Sequence, residues 1–316
     1  MSSVARLAFI CLLVALFPLA AKGATPPRKI LTSTFPVYQM TRNITAGESG
    51  VVVELLLPAR LGCPHDYALT PQDMQKLRQA EVLIINGLGL EEFLGAPLQR
   101  AHPGLTIIDS SRGLDEILSY RDGSEKAAKQ DHDHDHDHDH DMAATNPHLF
   151  ASPHMATQQV LTIAAELARL DPAAAPRYQR NARDYVVRLE SLAAEFAAVG
   201  KRLKNRRIIT QHGVFDYLAR DMGLEVVAVI SAHPGQEPAA AEMLALIRQA
   251  KTAKVGAIFT EPQYPAKVAE TIAREAGIPH AVLDPAASGD DNAPMNSYEV
   301  VMRRNMQILQ TTLGTR

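Results

Sequence analysis

Residues 131–141 read DHDHDHDHDHD, so that His132, His134, His136, His138 and His140 alternate with six aspartates. Imidazole and carboxylate are the donors that hold borderline and hard divalent cations, and no packed core can use such a run. It points to transition-metal handling on an exposed segment. His65, His102, His148, His154, His212, His233 and His280 stand outside the run. Three of these fall where chemistry would want them. His65 is in the loop after a predicted strand, His148 lies just past the long loop that holds the run, and His212 follows directly on another predicted strand. Asp284 ends the last predicted strand. Three neutral imidazoles and one carboxylate make a donor set that suits tetrahedral zinc, with bonds of about 2.0–2.2 Å, whereas manganese prefers more oxygen. Taken singly, each of these histidines reads first as a surface or capping residue. Only convergence in space makes them a site.

Convergence is what the surrounding pattern predicts. Short apolar runs alternate with helical spacing, the signature of parallel α/β units. Strands are expected at 30–34, 51–57, 82–86 and 105–108, and helices at 36–46, 71–80 and 91–100. Thr70 is the N-cap of the second helix, with Pro71 at its first position. A loop of about 112–147 follows, long enough to be functional or disordered. Apolar residues at 3–4 spacing then give helices at 156–170 and 172–203, the second about 45 Å long. A second α/β set closes the chain, with strands at 207–211, 225–230, 255–260 and 280–283 and helices at 214–222, 238–251, 266–276 and 297–312. The expected fold is α/β: two lobes with parallel sheets joined by a long, rigid α-helix. The lobes are placed at 24–155 and 205–316, with 156–204 as the helical connection. Ligands of open α/β sheets bind beyond the carboxyl ends of the strands. In two lobes those ends can face each other across a cleft, which is where the metal site is expected.

The 316 residues suffice for two domains, and 46 % are hydrophobic, enough for a substantial core. A net charge of −3 without a long basic run excludes nucleic acid as a partner. Residues 1–23 read as a cleaved signal peptide: Arg6, an apolar run of about fifteen residues, and Ala21-Lys22-Gly23 as the exit. The run is shorter than the roughly twenty residues that span a bilayer, although an uncleaved anchor is the alternative. Cys11 lies inside it, which leaves Cys63 as the one thiol of an exported chain without an internal disulfide.

Pro64-His65-Asp66-Tyr67, Thr70-Pro71-Gln72-Asp73, Asn86-Gly87-Leu88-Gly89-Leu90-Glu91, Asn146-Pro147-His148, Gln211-His212-Gly213-Val214-Phe215-Asp216-Tyr217-Leu218, Glu237-Pro238, Glu261-Pro262 and Leu283-Asp284-Pro285 occur in that order. This series resembles the periplasmic zinc- and manganese-binding proteins of ABC importers, over nearly all of 28–316. The resemblance implies capture of Zn²⁺ in the periplasm for delivery to a membrane permease and its ATPase subunit. The chain would be a monomer that is not an enzyme, with a periplasmic metallochaperone as a further partner. It places His65, His148, His212 and Asp284 at the family's four ligand positions. Histidine rather than glutamate at 212 and the histidine-rich insertion imply the zinc branch, with manganese the less favoured cargo.

The chain departs from that pattern twice. Asn146 stands where an aspartate is usual, and Cys63 sits two residues before His65 as either a small loop residue or a thiolate that joins or replaces a ligand. Asp66 and Glu237 are candidates to orient ligand imidazoles, and His233 and His280 are expected in supporting or surface roles. The G-x-G at Gly87 and Gly89 lacks the third glycine of a dinucleotide loop. Two other functions compete with the importer component. One is a periplasmic zinc hydrolase in which a carboxylate such as Glu261 activates a metal-bound water. The other is a zinc buffer or metallochaperone that relies on the run at 131–141, whose five imidazoles are expected to form weak accessory sites.

Overall fold

A computed structural model of the chain describes residues 26–64, 67–120, 145–231 and 238–314. The predicted signal segment and the His/Asp run at 131–141 lie outside the described residues, as do His65, Asp66, His233 and Glu237.

Successive side chains of a strand point to opposite faces, so the apolar runs give each sheet two faces to cover. β1 (Arg28–Thr32), β2 (Val51–Leu55), β3 (Val82–Ile85) and β4 (Thr106–Asp109) form one parallel sheet in the order β2-β1-β3-β4. β5 (Arg207–Thr210), β6 (Glu225–Val229), β7 (Ala257–Thr260) and β8 (His280–Val282) form a second parallel sheet in the order β6-β5-β7-β8. The expected two-lobe α/β architecture is therefore present, and both sheets repeat one winding. α1 (Phe35–Thr45), α2 (Pro71–Gln79) and α3 (Gly95–Ala101) serve the first sheet, and α6 (Asp216–Met222), α7 (Ala240–Thr252) and α8 (Lys267–Ala276) the second. α4 (Pro153–Leu170), α5 (Ala175–Arg202) and α9 (Ser297–Leu313) complete the chain. Thr70 caps α2 as expected: its Oγ1 accepts the Asp73 N–H (3.2 Å), and Asp73 Oδ2 accepts the Thr70 N–H (2.9 Å). The helix expected at 91–100 divides instead into a 3-10 turn, Glu92–Leu94, and α3, because Gly95 takes a backbone conformation near φ −6°, ψ −117°.

One face of each sheet rests on a core shared by both lobes. Ile30, Val82, Ile84, Ile208 and Phe259 join Val160, Ile163, Tyr185, Leu189, Leu192, Phe196 and Met302 in a single buried cluster. The opposite faces have separate, smaller cores: Leu31, Leu77 and Leu83 in one lobe, Ile209, Ile258 and Ile272 in the other. α5 is the spine of the shared core. Its 28 residues extend about 42 Å, and it packs on α1 and α4 on one side and on α6 and α9 on the other. Pro176 occupies its first turn, where a missing N–H costs nothing. Gly200 stands in its last turn because a Cβ there would lie 2.0 Å from the Met222 carbonyl oxygen. That close approach locks α5 onto the end of α6.

Candidate metal centre

In the winding order of each lobe, the crevice where ligands bind opens at the carboxyl ends of the first and third strands. In the second lobe those ends are the segment after β5, which carries His212, and the segment after β7, which carries Glu261. Both side chains are buried, at 1 % exposure. Glu261 Oε1 lies 2.5 Å from His212 Nδ1, and its Oε2 accepts a hydrogen bond from Gln263 Nε2 (2.8 Å). A carboxylate against Nδ1 keeps the proton on that nitrogen and leaves Nε2 as the basic, metal-directed atom.

His148 arrives from the other side. Its Nδ1 faces Asn146 Oδ1 at 2.9 Å, and the same oxygen accepts the His148 backbone N–H at 3.0 Å. The Asn146 amide is oriented by its own donors: Nδ2 donates to the Gly213 carbonyl (2.8 Å) and to Asp216 Oδ2 (3.2 Å). The amide oxygen therefore does the orienting work that a carboxylate would do. An aspartate at 146 would set a second negative group against Asp216, which gives a physical reason for asparagine here. The carbonyls of this segment tie it to both lobes. Asn86 Nδ2 donates to the Pro147 carbonyl (2.8 Å) from the first lobe, and the Tyr217 hydroxyl donates to the Asn146 carbonyl (2.8 Å) from the second.

The result is a pair of imidazoles with Nε2 facing Nε2 at 3.4 Å. Two nitrogens bound at about 2.0–2.1 Å to a tetrahedral zinc stand about 3.3–3.4 Å apart. The pair therefore already has the spacing of two ligands on one ion. Cys63, from the loop after β2, is the third member: its sulfur and the ligand nitrogens of His148 and His212 all lie within 4.8 Å of one another. Burial and the nearby Glu261 carboxylate push the Cys63 thiol well above its usual range. Tyr120 and Phe150 ring edges approach His148, and the Tyr264 ring approaches His212, so the pair is walled by aromatic surface.

Of the residues singled out from the sequence, His148 and His212 are brought together. Asp284 lies two residues past β8, and it is not in the 4.8 Å group among the described residues. Its Oδ1 accepts the Ala286 N–H (2.8 Å), its backbone is held by Asn305 (3.0 and 2.6 Å), and burial raises its carboxyl pKa. His65 lies outside the described residues, although Cys63 two positions earlier is in the group. His280 has a structural role: its Nε2 meets Thr260 Oγ1 at 2.8 Å within the second sheet. Reasoning from the sequence missed Asn146 as an orienting group and set Glu261 aside for water activation. Its position one residue past β7 was the available signal for the partnership with His212.

The family model described as the periplasmic zinc-uptake complex component A, ZnuA, matches residues 30–312. The chain is 31 % identical over 288 residues to the high-affinity zinc uptake system protein ZnuA of Bacillus subtilis, covering 90 % of this chain and 87 % of that one. It is 29 % identical to the zinc-binding lipoprotein AdcA of Streptococcus pneumoniae over 97 % of its own length, but it spans only 60 % of that longer protein. Among solved structures it is similar to the solute-binding protein FpvC of Pseudomonas aeruginosa in complex with Mn²⁺. That likeness has a TM-score of 0.74 and 30 % identity, over 90 % of this chain and 98 % of the other. With its family model matched from strand β1 to helix α9, the chain belongs to the ZnuA family of periplasmic zinc-uptake components.

Proposed function

We propose that the chain captures one Zn²⁺ between its lobes in the periplasm and hands it to an ABC permease with its ATPase subunit. The observation that carries this reading is the His148–His212 pair, with both Nε2 atoms at zinc-ligand spacing and both Nδ1 atoms facing an acceptor oxygen. His65 and Asp284 complete the set in this proposal, His65 from two positions after Cys63 and Asp284 from the segment after β8. The family membership and the B. subtilis relative support zinc as cargo. Manganese is the competing cargo, in view of the likeness to a Mn²⁺ complex, and the nitrogen-rich set weighs against it.

The geometry argues against a hydrolase. Glu261, the base that reaction would need, is buried and engaged with His212 and Gln263. The export signal at 1–23, the weak sites at 131–141, the lobe boundaries, the monomeric state and a metallochaperone partner belong to the same proposal. Titration of the metal-free exported chain with Zn²⁺ against a competing chelator tests it. One tight site is expected, lost in His148→Ala and kept when 131–141 are deleted. A wild-type chain without a tight site, or one that turns over esters or peptides, overturns the reading.

A further inference from the structure

We propose that Cys63 is itself a ligand of the bound metal, so that the cargo is held by sulfur and nitrogen rather than by nitrogen and oxygen alone. The inference rests on the zinc-capture reading above and specifies its donor set. Three observations lead to it. First, the Cys63 sulfur lies within 4.8 Å of the ligand nitrogens of both His148 and His212. A sulfur at about 2.3 Å and a nitrogen at about 2.05 Å from a tetrahedral zinc are separated by about 3.6 Å. A shortening of these separations by at most about 1.2 Å therefore brings the sulfur into the coordination sphere.

Second, the loop that carries Cys63 is built to reach across the cleft. Gly62 adopts φ +82°, in the left-handed region, and a Cβ on it would sit 3.3 Å from Gln263 Cγ. Gln263 is the residue that holds Glu261, which in turn orients His212. The thiol is thus delivered from the first lobe directly onto the imidazole support of the second.

Third, Cys63, and not Asp284, shares the 4.8 Å group with both imidazoles among the described residues, and the Asp284 Oδ1 already accepts the Ala286 N–H. On binding, the S–H bond breaks, its electron pair forms the S–Zn bond and one proton leaves to solvent. A thiolate is a soft donor that favours zinc over manganese, which makes Cys63 a specificity-determining residue of the site.

The test uses Co²⁺ as a spectroscopic stand-in for Zn²⁺, in the chain with Cys11→Ala so that Cys63 is its only thiol. A near-ultraviolet sulfur-to-cobalt charge-transfer band is expected on addition of one equivalent and is displaced by Zn²⁺. Cys63→Ser should lose the band, weaken Zn²⁺ by more than about ten-fold and narrow the preference for Zn²⁺ over Mn²⁺. The band is read in a chain with Cys63 intact, so a folding defect in the variant does not decide the outcome. Tight Zn²⁺ binding with no such band overturns the role of Cys63 and leaves zinc capture standing. Absence of tight Zn²⁺ binding in the wild-type chain overturns both.

Discussion

The two lobes wind their sheets in the same order and use the resulting crevice in opposite ways. In the first lobe the carboxyl ends of β1 and β3 are closed by the chain itself. Glu91 accepts hydrogen bonds from Ser33 Oγ (2.7 Å), Asn86 N (2.7 Å) and Gly87 N (3.0 Å), and it is buried there. In the second lobe the ends of β5 and β7 carry His212 and Glu261, and the carboxylate turns an imidazole outward instead of plugging the crevice. The fold supplies a carboxylate-sized opening twice. The partner of that carboxylate, backbone N–H in one lobe and imidazole in the other, determines which opening becomes a site. The first lobe contributes to the site from its margins, through the Cys63 loop and the Asn86 bond to Pro147.

The strongest test of this contrast is His212→Ala. Structural zinc in small sites contributes about 10–16 kcal/mol, so one ligand in four is worth about 2.5–4 kcal/mol, or roughly 70- to 900-fold in affinity. Chelator competition should report a loss of that size, and a loss of only a few-fold would remove His212 from the ligand set. Next in size is the pH response of the closed crevice. Burial raises the Glu91 pKa from 4.5 to about 7, against the lowering effect of its hydrogen bonds. The folded state then holds a proton that the unfolded state has lost. Glu91 thus contributes stability that is present below about 4.5 and declines as pH rises through about 7. The change is on the order of 3 kcal/mol. Denaturant unfolding at pH 5 and pH 7.5 in chelator should show that decline in the wild type and not in Glu91→Gln. Equal slopes would mean that Glu91 titrates normally.

Smaller effects sharpen the comparison between the two carboxylates. Glu261→Gln should weaken zinc by about 10–100-fold, the usual consequence of losing a group that orients a ligand histidine. Glu91→Gln should leave zinc affinity within about two-fold, since Glu91 touches no ligand. Calorimetric titration of the two variants side by side decides it, and comparable losses would erase the distinction between the crevices. Deletion of 131–141 is expected to have the smallest effect on the tight site, with only additional weak zinc lost, as counted by equilibrium dialysis.

Much of the fold was legible in the sequence. Val82–Ile85 and Ala257–Phe259 are apolar throughout, as strands covered on both faces must be, and the spacing of Tyr178, Ala182, Tyr185, Leu189, Leu192 and Phe196 announces one long buried stripe. The shared core was not legible, because period-2 patterning says that a strand has two faces without saying which neighbour covers each. The break before α3 escaped because Gly95 is tolerated inside a helical pattern until its φ and ψ are known. His148 and His212 were legible from their places after a long loop and after a strand. Cys63 was left open between a loop residue and a ligand, since nothing local distinguishes a thiol beside imidazoles from one beside leucines.

The sequence alone determined the α/β class, the two sets of parallel strands and which imidazoles were candidates, because hydrophobic period and residue type are local properties. Tertiary structure decided which atoms of those residues face one another. An imidazole that ligates a metal almost always turns its other nitrogen to a partner, and backbone placement brings Asn146 to His148 and Glu261 to His212. The same carboxyl group became a plug at Glu91 and an orienting arm at Glu261 for that reason: its role was set by what the fold brought within about 3 Å of its oxygens.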